Sequence, residues 1–267
     1  MNIGVFDSGL GGLLILKSIV KALPNYDYVY YGDTANLPYG DKTEEEIFIL
    51  TKTAIKELFL HDCALVIVAC NTASAETLRR IQDTFLREEY PDRKILGVIV
   101  PTIEEVVERQ FLRALLLGTK RTVESGKYER ELAKVAGSPV KLISLATPEL
   151  VPLIEAHQVT EAIEHTIKVI EAEAREGDVV LLGCTHYTLL KDSLREHFKD
   201  ILTFISQDEV IPKKLADYLS RHSEITSRLS STGKREVHLT EHRPDYDRLT
   251  AEFLGGAYLP DESSDGL

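Results

Sequence analysis

Eight short apolar runs recur along the chain: "NIGVF", "YDYVYYG", "ALVIVAC", "KILGVIV", "RALLLGT", "VKLISLA", "DVVLLGC" and "ILTFIS". Between them, apolar residues fall at every third or fourth position. Continuous apolar runs predict buried parallel strands and the intervening pattern predicts amphipathic helices, so the order reads as βαβ units in a mostly parallel sheet or two. The stretch after Asp41 opens on Thr43-x-x-Glu46, a capping box, and carries Ile47, Leu50, Ala54 and Leu58 on one helical face. After Ser74, the residues Leu78, Ile81 and Phe85 share a face in the same way. Both helices are expected to be scaffold. A new strand–helix series begins past Val100-Pro101, which marks a boundary between two halves. No repeat at a solenoid period interrupts this order, and the polar, acidic ending "PDESSDGL" is expected to fray.

Two of the apolar runs end alike. "ALVIVACNTAS" and "DVVLLGCTHYTLL" each close on a cysteine, Cys70 and Cys184, followed by polar residues and then a helix-like pattern. Buried parallel strands deliver such residues to the mouth of an α/β sheet, so both thiols are candidates to face one crevice, one from each half. A thiol before a helix N-terminus gains about 0.3–1 kcal/mol, and up to ~2 if partly buried, which lowers its pKa by roughly one unit toward neutrality. Two such thiols suit a proton transfer in which one is the base and the other the acid, inverting a carbon stereocentre between them. The plainer reading is that both are small core residues, since free cysteine is among the most buried types. Asn71-Thr72 and Thr185-His186 weigh against it, because a core does not welcome them.

Length and charge narrow the field. With 267 residues the chain suits two modest domains or one large one. Three cysteines (Cys63, Cys70, Cys184) and a Met1 that leads straight into a strand predict a cytoplasmic protein without structural disulfides. No apolar run approaches the roughly 20 residues that span a bilayer. The net charge of −12 disfavours nucleic acid and anionic membranes as partners.

Other polar clusters follow the strands. "FDSGLGG" (Phe6 to Gly12) has glycines for close backbone approach, yet fits neither the dinucleotide fingerprint nor a P-loop, and suits a carboxylate better than a nucleotide. Asp7 has two readings, a helix N-cap or a ligand-facing carboxylate; its place at the end of the first strand favours the second. In "YYGDTANLPYG", Tyr39 offers a phenol and Gly40 an unhindered N–H for gripping a carboxylate. His186 is placed to orient or supply a proton at Cys184. A zinc site from Cys70, Cys184 and His186 would want a fourth ligand and a close-spaced Cys-x-x-Cys pair, which is absent, so no metal is expected.

At this point "FDSGLGG", "YGDTANLPYG", "VACNTAS" and "LLGCTHYTLL" together resemble the glutamate racemases of the aspartate/glutamate racemase family. "LGTKRTVESGKYEREL" and "VPLIE" are weaker matches, and the likeness runs to about Leu219. The resemblance implies an α/β fold of two similar domains, each a mostly parallel sheet flanked by helices, with the active site in the interdomain crevice. It implies domains 1–98 with a returning 208–267, and 99–207. It implies cofactor-independent interconversion of L- and D-glutamate for peptidoglycan synthesis, by a homodimer. Carried onto this chain, Cys70 and Cys184 are the acid/base thiols, Asp7 supports the first, and His186 and Glu155 the second. Ser8, Tyr39, Gly40, Asn71, Thr72 and Thr185 then hold the substrate, with Asp7 and His186 beside them.

The chain departs from the family pattern at Val100-Pro101-Thr102, where Glu-Pro-Gly is usual, and at Ala146-Thr147-Pro148, where Ala-Cys-Pro is usual. It lacks the N-terminal extension of members activated by a cell-wall precursor, so no such activator is expected. Three other functions stay open on the residues alone: racemisation of aspartate or a related dicarboxylate, a non-catalytic module that closes on an anionic metabolite, and a thiol redox protein. The last needs the two Cα atoms within about 7 Å.

Overall fold

The computed structural model describes residues 1–135, 140–242, 244, 246 and 250, so the acidic ending lies outside the described residues. Nine strands build two sheets there. β1 (Asn2–Asp7), β2 (Tyr28–Gly32), β3 (Cys63–Val68), β4 (Lys94–Gly97) and β9 (Arg235–Leu239) form one, in the order β4-β3-β1-β2-β9. β5 (Arg113–Gly118), β6 (Lys141–Ala146), β7 (Val179–Gly183) and β8 (Thr203–Ser206) form the other, in the order β6-β5-β7-β8. Every pairing is parallel. All eight apolar runs supply strands; in β3 and β7 each residue is buried, and a strand covered on both faces has no place for alternating polar residues.

Helices cover opposite faces of the first sheet. Helix Gly11–Ala22 packs Ile15, Leu16 and Ile19 against Ile3 and Val5, while helix Glu44–Leu60 packs Ile47, Ile55 and Leu58 against Phe6 and Val66 on the other side. The segment after β3 joins that second cluster through Ile81 and Phe85. Adjacent strands β1 and β3 therefore send their chains to opposite faces, which opens a crevice at their carboxyl ends. The second sheet repeats this between β5 and β7. Tyr128 and Leu132, after β5, lie in one cluster, and Tyr187 and Leu194, after β7, in the other.

The elements differ from the sequence reading in four places. "KILGVIV" stops as a strand at Gly97, and Ile99–Glu108 is a helix with Pro101 in its first turn, where the missing N–H costs no hydrogen bond. Its Ile99, Ile103 and Val106 pack with the second sheet. The stretch carrying Leu78, Ile81 and Phe85 is a broken helix, interrupted at Thr77 and then by a π-turn over Gln82–Leu86. The capping box at Thr43 and Glu46 is present, although Leu50 is only partly buried and Thr51 and Ile55 take the inner positions. Strand β9 carries no apolar run at all. "REVHL" alternates, with Val237 and Leu239 inward and Glu236 and His238 on the opposite face, as an edge strand does.

The two sheets meet through glycine. A Cβ at Gly11 would lie 2.5 Å from Thr185 Oγ1 and 2.8 Å from the backbone nitrogen of His186, so the first helix touches the chain after β7 with no room for a side chain. Since backbone is among the colliding atoms, a rotamer change gives no relief. Gly11→Ala is expected to cost about 1–3 kcal/mol, read as a lowered denaturation midpoint at unchanged m-value; a midpoint equal to the parent's would show that this contact is looser in solution.

Candidate active site

Both crevice mouths carry the residues singled out above. Asp7 ends β1, Ser8 follows it, and Cys70 lies two residues past β3 as the N-cap of helix Asn71–Glu76. Cys70 Sγ accepts from the Ala73 N–H at 3.5 Å and faces Ser8 Oγ at 3.3 Å. The helix terminus is thus where it was expected, but its effect is outweighed. Burial, and then the Asp7 carboxylate, push the Cys70 thiol up to about 12, whereas the sequence reading expected a near-neutral group. A dipole worth about 0.3–1 kcal/mol does not offset the desolvation of a thiolate that is 5% exposed.

Asp7 is fully buried. Its carboxylate accepts from the Gly12 N–H at 3.0 Å and the Gly9 N–H at 3.3 Å, so it caps the first helix; it sits behind the crevice and is not among the residues that line it. Thr185 Oγ1, from the other sheet, donates to it at 3.3 Å. Burial raises the Asp7 pKa, against the lowering effect of His186 and these donors.

On the second side Cys184 follows β7 directly, and Thr185–Leu190 forms a 3-10 turn before helix Lys191–His197 rather than the continuous helix expected. His186 Nδ1 lies 3.8 Å from Cys184 Sγ, and its Nε2 lies 2.6 Å from Glu155 Oε1. Tyr246 donates to the other Glu155 oxygen at 3.1 Å. Burial pulls the imidazole pKa down, but the bonds and charges of Cys184 and Glu155 outweigh it and hold His186 well above its ordinary range. A proton and a positive charge are kept within reach of the Cys184 sulfur.

Asn71 and Thr72 do something the sequence reading did not anticipate. The Asn71 amide donates to Gln207 Oε1 at 2.7 Å and accepts from Gln207 Nε2 and the Tyr128 hydroxyl, each at 2.8 Å. Thr72 Oγ1 meets Thr119 Oγ1 at 2.9 Å and Thr122 Oγ1 at 3.3 Å. Their side chains thus stitch the Cys70 loop to elements beyond β4. Tyr39 likewise spends its hydroxyl on Asp33 Oδ2 at 2.6 Å; burial and that carboxylate push the phenol pKa up.

Ser8, Tyr39, Gly40, Cys70, Asn71, Thr72, Cys184, Thr185 and His186 line one crevice, which Thr119, Lys120 and Pro148 complete. Its free volume is about 50 Å³. One ordered water needs ~10–15 Å³ by the same measure, so the space is on the scale of a small molecule. A larger cavity of about 370 Å³ lies elsewhere, between Leu78, Pro101, Lys127 and Tyr218; neither Cys70 nor Cys184 lines it.

Residues 8–210 match the family described as Asp/Glu/Hydantoin racemase. The chain belongs to that family. A glutamate racemase of Roseobacter denitrificans is 36% identical over 237 residues, covering 83% of this chain and 86% of that protein. One of Paracoccus denitrificans is 37% identical over 262 residues, covering 88% and 93%. Among solved structures, a glutamate racemase of Bacillus anthracis superposes with a TM-score of 0.80 at 26% identity, covering 95% of this chain and 94% of that one. A Francisella tularensis glutamate racemase in complex with D-glutamate gives 0.79 at 25% identity, covering 95% and 93%.

Several residues at this family site escaped the sequence reading. Asp33, buried and bonded to Tyr39, Asn36 and Thr240, sat unremarked within "YGDTANLPYG". Thr119, Thr122 and Tyr128 lay inside the quoted "LGTKRTVESGKYEREL" without a role, and Gln207 and Tyr246 gave no signal. The departure at Thr147 has a structural use: its hydroxyl donates to the Gly118 carbonyl at 3.1 Å and pairs with the Tyr187 hydroxyl at 2.7 Å.

Glu155→Gln removes a charge partner of His186, so the imidazole titration followed by NMR is expected to move to lower pH by roughly 1–3 units. The folded-state pKa is raised, so the pair's stabilisation is fully present below the unfolded value of about 6.5 and is lost as pH rises through the folded value. The variant's stability deficit should therefore be largest near that lower pH and fade upward; a deficit that grows with pH contradicts the assignment.

Proposed function

We propose that this chain is a glutamate racemase that interconverts L- and D-glutamate by two-base proton transfer and supplies the D-isomer for peptidoglycan synthesis. The observation that carries the reading is that Cys70 and Cys184, each at the switch point of its own sheet, line one small crevice. The names of the relatives support glutamate over other substrates. In this reading residues 1–98 with 208–267 form one wall and 99–207 the other, and the active form is a homodimer.

Chemistry follows from the two sides. A thiolate on one side takes the α-proton as the C–H bond breaks; the electron pair passes to the α-carbon and its carboxylate. The thiol opposite then gives its proton to the other face, leaving that sulfur as the thiolate, and the reverse reaction exchanges the roles. Hydrogen-bond donors on the carboxylate must stabilise the intermediate, at ~3–4 kcal/mol each. Asn71, Thr72 and Thr185, through backbone N–H groups and side chains released from the seam, are assigned that task with Ser8, Tyr39 and Gly40. Asp7 raises the basicity of Cys70, and His186 with Glu155 steadies charge at Cys184.

The first test incubates metal-stripped protein, with no added cofactor, with L-glutamate in D₂O. Loss of optical activity with deuterium entering at Cα is expected. Folded protein that leaves glutamate untouched but exchanges aspartate would move the assignment to that substrate; tight glutamate binding without any exchange would leave a binding module.

Cys70→Ser and Cys184→Ser are each expected to lower turnover by on the order of 10³-fold. The equilibrium constant of a racemisation is one, so kcat/KM falls equally in both directions and does not tell the thiols apart. Isotope effects with α-deuterated substrates do: each should rise in the direction in which the replaced residue is the base. Equal isotope effects in both directions for both variants contradict the division of labour.

A further inference from the structure

We infer a divalent metal site, separate from the thiol crevice, made by His61, Glu236 and His238. His61 caps the end of helix Glu44–Leu60, and Glu236 and His238 stand two residues apart on the same face of edge strand β9. Glu236 Oε2 lies 3.8 Å from His61 Nδ1 and 3.5 Å from His238 Nε2, and the three ligand atoms all fall within 4.8 Å of one another. Those spacings exceed the 2.7–3.2 Å of an N–H···O hydrogen bond. They approach the ~3.4 Å edge of a tetrahedron whose ligands sit about 2.0–2.1 Å from a metal ion. The imidazole rings lie 4.1 Å apart, centroid to centroid, with their planes 38° apart.

The donor set selects the ion. Two imidazoles and one carboxylate suit Zn²⁺ and its first-row neighbours and are wrong for Ca²⁺ or Mg²⁺, which want oxygen. The three side chains are 27–38% exposed, so the fourth position opens to water. Lys234 pairs with the other oxygen of Glu236, which leaves Oε2 directed at the imidazoles. A metal held here joins His61 to a strand 175 residues later in the sequence. That strand leads to Thr240, which bonds Asp33, and on to Tyr246, which bonds Glu155. The ion is therefore a clip on the edge strand from which the C-terminal segment reaches the crevice.

The test uses untagged, full-length, metal-stripped protein titrated with Co²⁺ as an optical probe. The site predicts one Co²⁺ per chain with tetrahedral d–d bands and no sulfur-to-cobalt charge transfer, since Cys70 and Cys184 take no part. His61→Ala, His238→Ala and the isosteric Glu236→Gln should each weaken binding tenfold or more. Zn²⁺ at about a hundredfold excess over its Kd should raise the melting temperature of the parent by roughly 5 °C, a shift the His238→Ala chain loses. Absence of saturable binding below roughly 1 mM, a sulfur charge-transfer band, or affinity unchanged in any of the three variants overturns the site.

Discussion

The Asp7 carboxylate is the constraint around which the two halves are arranged. A buried carboxylate must have its oxygens satisfied, and here the donors come from both sides: Gly9 and Gly12 from the loop after β1, Thr185 from the turn after β7. Meeting that demand brings the carboxyl ends of the two sheets together, and only a glycine at position 11 lets the backbones approach so closely. The small volume of the crevice is a consequence. Two sheets pinned mouth to mouth leave a narrow space between them, lined by both cysteines. Tyr30, whose hydroxyl donates to the Gly9 carbonyl at 2.7 Å, fixes the loop from below.

The same carboxylate bears on the thiol of its own half. Cys70 feels burial and a neighbouring negative charge, both of which disfavour its anion. Cys184 instead faces an imidazole that Glu155 keeps protonated. The helix terminus at Cys70 is the weak partner: tenths to one kcal/mol against the desolvation of a buried sulfur.

How much of this was legible beforehand divides along physical lines. Eight of the nine strands are apolar runs and so were readable, most plainly the fully buried β3 and β7, and residues that end such runs were readable with them: Asp7, Cys70, Cys184. Strand β9 was not, because "REVHL" alternates polar with apolar residues and resembles a surface segment. Helix breaks at Thr77 and Gln82 leave no mark in periodicity, since Ile81 and Phe85 stay inward in either geometry. At the site, sequence pointed to which residues are present but not to whom they are bonded. The pairing of Asn71 with Gln207, 136 residues away, depends on tertiary geometry, as does the Asp33 partner that takes the Tyr39 hydroxyl. The direction of the Cys70 shift was misread for the same reason: a local feature, the helix terminus, is visible in sequence, whereas the degree of burial is not.

Hydrogen bonds, beside an apolar contact at Ala75, hold the Cys70 loop to the second half, and this bears on how a ligand enters. Thr72 with Thr119 and Thr122, Asn71 with Gln207 and Tyr128, and Thr185 with Asp7 each contribute a net ~0.5–1.5 kcal/mol, because water replaces the partner when the bond opens. An apolar seam of similar extent would have no such replacement and would resist parting. The groups that bind the halves in the closed crevice are also the groups assigned to the ligand carboxylate. Exchange of a seam partner for a ligand oxygen leaves the count of hydrogen bonds nearly unchanged, so the site admits an anion at small cost. Left buried without a partner, the same donors would cost about 1–3 kcal/mol each, so the seam bonds keep them satisfied.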